Sequence, residues 1–389
     1  MPFRSVPAAR AVVTASAEID RLGLVAHAEV FGGIMRVTLL RDGSPIATGA
    51  GKGPGAQGTA SAHFEALERY LMSAHENRRW GAQTLLPAAD VAGQPALAAD
   101  RVVQRWAAEF PSAVAACASY GGVRYPTFLA DPRYYRWPAP GDDVSPYRSL
   151  LRYSSSLGTA AGSDPDEAVY HGICELVEHD GVGQALLRWY VAGVPDADVV
   201  PPADLPPALR ALHDRAAVAA GAPVHLLDVT TDLAIPVYLA VSSAGGFGAG
   251  ASVWASDAAA RALDELIQMC ALPSSADTRA VARLAAWPAL RRCADLPVHD
   301  LRLRAVPPRA DPAGDGSPRW GLDQVRHALA RHGIDFHVCE VAPVGSLISV
   351  ATTIAPGLER FSLVRHGVPV IPTGRGWHLW PTAHVSRTP

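Results

Sequence analysis

Three segments of the chain carry acids paired at one spacing. Ser61-Ala-His-Phe-Glu65-Ala-Leu-Glu68-Arg69-Tyr70 places two carboxylates three residues apart among apolar neighbours. Glu167-Ala-Val-Tyr-His171-Gly-Ile-Cys-Glu175-Leu-Val-Glu178-His179-Asp180 repeats the interval. Arg261-Ala-Leu-Asp-Glu265-Leu-Ile-Gln268 repeats it again, with an amide in the last place. On a helix, residues i and i+3 share a face, so each pair presents its oxygens together. Phe64, Leu67, Ile173, Leu176, Val177, Leu263, Leu266 and Ile267 flank the acids and predict largely buried helices. Buried carboxylates are costly unless cations neutralise them, and only Arg69 and Arg261 stand close in sequence. Hard divalent cations would resolve the problem, and magnesium bridging to phosphate oxygens is the common case. A single acid pair is more often a solvated helix face, and Glu167 has a capping role of its own. Asp164 reads as the cap, Pro165 as N1 and Glu167 as N3 of a capping box. Threefold repetition in apolar sequence is what points to a metal.

Other catalytic signatures fail on inspection. Gly51-Lys52-Gly53 lacks the leading glycine and trailing hydroxyl of a phosphate-binding loop. Gly245-Gly246-Phe247-Gly248-Ala249-Gly250 is glycine-rich, but it is not GxGxxG and no strand-to-helix unit of the right length encloses it. There is no GxSxG elbow, and the fourteen histidines form neither HxxxH nor HExxH.

The acids need a scaffold, and its elements are partly legible. Residues 24–50 read as strands separated by Gly32-Gly33 and by the turn Arg41-Asp42-Gly43-Ser44. A loop over 51–58 opens a helix from about Thr59 to His75. Further helices are expected near 165–182 and 257–269, and strands near 223–229, 235–242, 336–339 and 346–352. Pro-rich stretches at 132–146, 199–207 and 306–318 read as surface connections. No internal repeat is visible. Long helices mixed with non-alternating apolar strands predict an α/β (α+β) class.

With 389 residues, 49% apolar and 18% charged, the chain has material for a sizeable core. A net charge of -3 gives no footprint for nucleic acid or anionic lipid. No secretory signal opens the sequence and no run of about 18 apolar residues interrupts it, so a cytoplasmic protein without a membrane span is expected. Cys117, Cys174, Cys270, Cys293 and Cys339 are scattered and form no CxxC pair. Reduced thiols are expected, and a zinc site is not.

Taken in order, these segments resemble the YcaO family. The first signature is Gly51-Lys52-Gly53, Ala60-Ser61 and Glu65 to Tyr70. The second is Ser155 to Gly162 followed by Glu167-Ala168, Glu175 and Glu178. The third is Arg261-Ala262-Leu263, Glu265 and Gln268, and Phe361 to Gly367, Val368-Pro369 and Arg375-Gly376 are similar to the family's C-terminal portion. The resemblance implies one domain over 1–389, with 1–24 an extension, 25–376 the core and 377–389 a tail. It implies an ATP site in which Glu65, Glu68, Glu175, Glu178 and Glu265 bind Mg2+. Ser61, Arg69, Ser163, Glu167, His179, Arg261 and Gln268 would line the nucleotide and its phosphates.

The implied activity is transfer of the γ-phosphate to a backbone amide oxygen of a ribosomal precursor peptide. Attack by a peptide nucleophile would then give a macrocyclic amidine or an azoline, as in modified-peptide antibiotic biosynthesis. Thioamide formation with a sulfur-delivery partner and a non-catalytic peptide-binding role are the alternatives. An accessory YcaO or hydrolase partner and a homo-oligomer are compatible with the resemblance. Departures exist too. The second signature usually ends ExxER, and here Glu178 is followed by His179. Ser163 stands where many members carry Asn, Leu157 lies in the Gly/Ala-rich loop, and no Pro-x-Pro-x-Pro tail is present. Residues 1–24 are too few for a fused leader-binding domain, so a standalone member, of the bottromycin type for example, is expected.

Overall fold

The computed structural model describes residues 4–72, 83–272 and 281–381; the expected end of the helix to His75 and the end of the tail fall outside them. The chain forms two compact units, residues 1–176 with 315–357 and residues 177–314 with 358–389. Helices of thirteen or more residues are α1 (Ala8–Arg21), α2 (Gly55–Met72), α3 (Pro165–Leu186), α4 (Pro207–Ala220), α5 (Ala255–Ala271) and α6 (Pro318–Ala330). The strands are β1 (Val25–Phe31), β2 (Ile34–Arg41), β3 (Ser44–Ala50), β4 (Thr84–Pro87), β5 (Val114–Tyr120), β6 (Val123–Pro126) and β7 (Thr159–Gly162). They continue with β8 (Asp196–Val200), β9 (Val224–Asp228), β10 (Val237–Ser242), β11 (Phe247–Ala251), β12 (Arg302–Ala305), β13 (His337–Glu340) and β14 (Ser349–Ile354). The class is α+β. Among the described residues, no helix is long and apolar enough to cross a membrane.

The first unit holds three three-stranded sheets, ordered β1-β2-β3, β13-β14-β7 and β4-β5-β6. Both hairpins of the first sheet turn on two residues with positive φ, Gly32 (55°) and Gly33 (84°), then Asp42 (50°) and Gly43 (76°). That is the turn whose twist matches paired strands. Val37 and Leu39 of β2 are fully buried with Ala11, Ala15 and Ile19 of α1 and Ala62, Ala66 and Leu67 of α2. The buried Glu18 ties α1 down by accepting from Arg21, from Ser346 Oγ at 2.7 Å and from the Leu347 amide at 3.1 Å.

In the second unit the sheet order is β11-β10-β9-β8-β12. Leu226, Tyr238 and Ala240 pack there against Leu209 and Leu212 of α4 and Ala258, Ala262 and Leu266 of α5. The order α1-β1-β2-β3-α2 thus recurs as α4-β9-β10-β11-α5. A third version is assembled out of chain order, from α6, β13 and β14 with the earlier β7 and α3. The repeat absent from the sequence reading is present in the architecture.

Candidate functional site

Each acid-bearing helix follows a strand, and the three junctions share one construction. An ideal Cβ on Gly49 would lie 2.4 Å from both the Ala62 carbonyl oxygen and the Ala66 amide nitrogen of α2. On Gly248 it would lie 2.3 Å from the Ala262 oxygen and the Leu266 nitrogen of α5. At α3 the small residue is on the helix, where a Cβ on Gly172 would sit 2.4 Å from the Gly158 oxygen. Only glycine lets strand and helix backbones approach this closely. The approach brings a helix carboxylate within reach of a strand amide. Ala50 N–H donates to Glu65 at 2.8 Å, Gly158 N–H to Glu175 at 2.9 Å, and Ala249 N–H to Glu265 at 3.4 Å. The first acid of every pair is therefore oriented by backbone.

In the first unit, Glu65, Glu68 and Glu175 interact electrostatically. Burial raises the proton affinity of Glu68 well above the carboxylate range, and the charges of Glu175 and Glu65 raise it further. Arg69 and the Ala161 amide oppose the shift without cancelling it. Glu68 keeps some solvent-accessible surface, and protein packed around its carboxyl produces the desolvation. Arg69 forms an ion pair with Glu65 and donates to the Thr48 carbonyl at 2.6 Å. Ser61 Oγ accepts from the Lys52 amide at 3.2 Å.

Glu167 is buried at the start of α3. Its amide donates to the capping Asp164 carboxylate at 2.9 Å, as the sequence predicts. Its carboxylate accepts from the Ser163 amide at 3.1 Å, the Ser5 amide at 3.2 Å and Arg4 Nη1 at 3.3 Å. Burial raises its pKa and Arg4 opposes this most strongly. Arg4 also donates to Gln57 at 3.1 Å and lies over the Phe64 ring. Arg4 and Ser5 escaped the sequence reading because nothing in the first residues marks a partner far along the chain. Ser163 Oγ is buried and makes no hydrogen bond.

The second unit holds the other expected residues. Arg261 donates to the buried Asp257 at 2.9 Å, one turn earlier on α5. Glu265 and Gln268 follow on that helix, and both are half-buried. His179 Nδ1 and Ser362 Oγ share a hydrogen bond of 2.6 Å. Next to it, the buried Asp180 accepts from the Glu359 amide at 2.9 Å and from Gln184 at 2.8 Å, with Arg375 Nε 3.6 Å away. Glu359 in turn accepts from the amides of Arg360, Phe361, Thr373, Gly374 and Gly376 at 2.9–3.0 Å. These two acids bind the 359–376 segment to the half of α3 that carries Glu178. The sequence reading passed over both, since neither is part of a spaced pair.

A dication fits the charge pattern of the first unit. Burial and two neighbouring acids raise the proton affinity of Glu68, and positive charge there would oppose that shift. Among the described residues, no three His, Cys, Asp or Glu side chains are grouped so as to hold a metal ion by themselves. Magnesium does not require such a group. It is usually held by one or two carboxylates with water and phosphate oxygens completing its shell. The unpartnered Ser163 hydroxyl beside Glu167 offers a donor to such a ligand.

Residues 50–359 match the family described as YcaO cyclodehydratase, ATP- and Mg2+-binding. An uncharacterised protein in the tfuA 3' region of Rhizobium leguminosarum bv. trifolii is 31% identical over 230 residues, 53% of this chain and 52% of that protein. The chain thus matches about half the length of that relative. The fold is similar to YcaO from Methanopyrus kandleri bound with AMPPCP and Mg2+, with a TM-score of 0.62 and 18% identity over 95% of this chain and 96% of that one. It is also similar to a heterocyclase in complex with substrate and cofactor (TM-score 0.63, 20% identity, 91% and 53% coverage). The E. coli microcin synthetase McbBCD complex with pro-MccB17 bound gives 0.55 at 13% identity, with 87% and 88% coverage.

Proposed function

Because the chain belongs to the YcaO family, we propose that it is an ATP- and Mg2+-dependent enzyme that activates a backbone amide of a ribosomal precursor peptide. The observation that supports the reading is the mutual opposition of the buried Glu68 and the charges of Glu175 and Glu65, a cost that a bound cation would offset. Glu65, Glu68, Glu175, Glu178 and Glu265 are the proposed metal-binding acids. Ser61, Ser163, Glu167, His179, Arg261 and Gln268 are proposed to line the nucleotide, while Arg69 keeps Glu65 oriented. With ATP and Mg2+ bound, the γ-phosphate becomes available to the amide oxygen, which then departs as phosphate rather than hydroxide.

This chain's own residues supply orientation and charge. The backbone amides of Ala50, Gly158 and Ala249 orient the first acid of each helix, which lowers the reorganisation needed during transfer. The nucleophile is proposed to come from the peptide. Burial pushes the Cys117 and Cys293 thiols up to about 12 and Cys339 up to about 11, and it raises Cys270 as well. Thiols so placed are inert. The proposed products are a macrocyclic amidine or an azoline with ADP and phosphate, and positioning the attacking group is an entropic contribution.

Mass spectrometry of a precursor peptide incubated with the protein, ATP and Mg2+ tests this reading. The expected product is lighter by one water, and its formation stops without nucleotide. Replacement of oxygen by sulfur would move the reading to thioamide formation. A covalent protein–peptide adduct would overturn the assignment of the nucleophile.

A further inference from the structure

A small cavity lies within the second unit, between its sheet and the helices α4 and α5. It holds about 190 Å3 and is walled by Leu209 of α4, Leu226 of β9, Tyr238 of β10 and Ala255 and Ala259 of α5. Residues 308–311, beyond the end of β12, form its outer rim. The space is too small for a nucleotide, since pockets for ligands of that size run to about 300–1,000 Å3. An apolar cavity of about 150 Å3 takes up benzene. The volume therefore matches one phenyl or branched aliphatic side chain.

The rim is held in place by side chains. The Arg309 amide donates to Tyr238 Oη at 3.4 Å, and Arg309 Nε donates to Asp228 at 2.6 Å. Asp311 accepts from the Ser256 amide at 2.9 Å and from the Ser256 hydroxyl at 2.5 Å. It thereby caps α5, whose own preceding residue, Trp254, provides no side-chain cap. Two sets of donors remain open. Tyr238 is 2% exposed, and burial with the Asp228 charge pushes its pKa up to about 12, so the phenol keeps its proton. Among the described residues that proton has no acceptor, because Tyr238 Oη only accepts, from Arg309. The amides of Ala310 and Asp311, both exposed residues, also have no acceptor among the described residues. Open main-chain donors beside a side-chain pocket are what an irregular peptide segment needs for affinity and selectivity together.

We propose that this cavity docks the precursor peptide, receiving one phenyl-sized apolar side chain from a segment outside the residue being activated. The Tyr238 hydroxyl then donates to a peptide carbonyl at the cavity edge, and the 310–311 amides bind carbonyls next to it. The identity of the peptide rests on the amide-activation reading; the cavity and its donors do not. The site is also distinct from the proposed nucleotide residues of α5. Ala259 is turned about 120–180° round the helix from Arg261, Glu265 and Gln268, so a change there alters the cavity and leaves the other face in place.

Fluorine NMR of N-acetyl-para-fluorophenylalaninamide with the full chain reads the cavity. No nucleotide is added, so the result is independent of whether amide activation occurs. The wild type should broaden the resonance. Excess N-acetylleucinamide should reverse the broadening, and N-acetylglycinamide should not. Ala259→Leu fills the cavity and should abolish binding with unchanged circular dichroism. Tyr238→Phe keeps the packing and should weaken the probe by roughly threefold to tenfold. In turnover with precursor peptide, ATP and Mg2+, Ala259→Leu should raise KM for the peptide by roughly tenfold or more and leave kcat unchanged. If Ala259→Leu does not fold, Tyr238→Phe decides, and wild-type probe affinity and KM in that variant overturn the proposal. A probe that fails to bind the wild type, or binds folded Ala259→Leu equally well, also overturns it. So does a peptide KM indifferent to Ala259→Leu, as expected if the cavity takes a free small molecule instead.

Discussion

The carboxylate of Glu175 on α3 raises the proton affinity of Glu68 on α2, so the acids oppose one another until positive charge arrives. Glu68→Gln removes that opposition and preserves volume. In the absence of Mg2+ the variant should be more stable than the wild type at pH 8, by on the order of 1 kcal/mol, or about 1–2 °C in Tm. It should also lose the added stability that ATP with Mg2+ confers on the wild type. Thermal melts with and without ligand measure both effects, and a variant that keeps ligand-induced stabilisation would remove Glu68 from the metal site.

Binding of the metal nucleotide should release protons. Glu68 holds its proton well above the usual carboxylate range, and a ligating carboxylate must be ionised. Affinity for ATP with Mg2+ should therefore rise with pH until Glu68 ionises in the free protein. Calorimetry in two buffers of different ionisation enthalpy reads the released proton directly. Identical heats in both buffers would contradict the assignment.

The strand glycines predict a stability effect of a different origin. At Gly248 a methyl would meet the Ala262 oxygen and Leu266 nitrogen at 2.3 Å, both helix backbone atoms that cannot rotate away. Gly248→Ala should cost about 2–3 kcal/mol or more, and it should weaken metal binding by moving Ala249 away from Glu265. Gly49→Ala should behave alike at Glu65. Gly221→Ala, at a helix end where a methyl meets nothing within 4 Å and only a positive φ of 62° opposes it, should cost about 1 kcal/mol. Denaturant titrations of the three variants give the ranking.

The acid helices were legible because a three-residue interval among apolar neighbours is a local pattern. The hairpins of 24–50 were legible because Gly32-Gly33 and Asp42-Gly43 are the residues their turns demand. Helices α1, α4 and α6 were not. Two of them start at proline, Pro207 and Pro318, and each closes a stretch whose prolines read as connection. There the same residue ends a loop and opens a helix. The threefold repeat was hidden for a related reason. It survives in sequence as little more than a glycine in or just before a strand and a helix glutamate, Gly49 with Glu65, Gly158 with Glu175 and Gly248 with Glu265. The Arg4 contact to Glu167 and the Glu359 contacts to the 360–376 segment are long-range or non-periodic, and no spacing rule exposes them.

Asp180 sets the sign of a pH dependence in the second unit. Burial raises its pKa to about 7 and the nearby Glu359 adds to the rise, while Arg375 and the Glu359 and Gln184 hydrogen bonds oppose it. An unfolded aspartate titrates near 3.9. Between these values the folded chain binds the extra proton, so stability falls as pH rises from about 4 to 7 and levels off above. A shift of this size corresponds to at most about 4 kcal/mol. Glu359, raised by its own burial, contributes in the same direction. Asp180→Asn keeps an oxygen for the Glu359 amide and removes the charge, so denaturant midpoints at pH 5 and pH 8 should move closer together than in the wild type. The variant should leave a residual slope from Glu359, and an undiminished difference between the two pH values would show that Asp180 is ionised throughout.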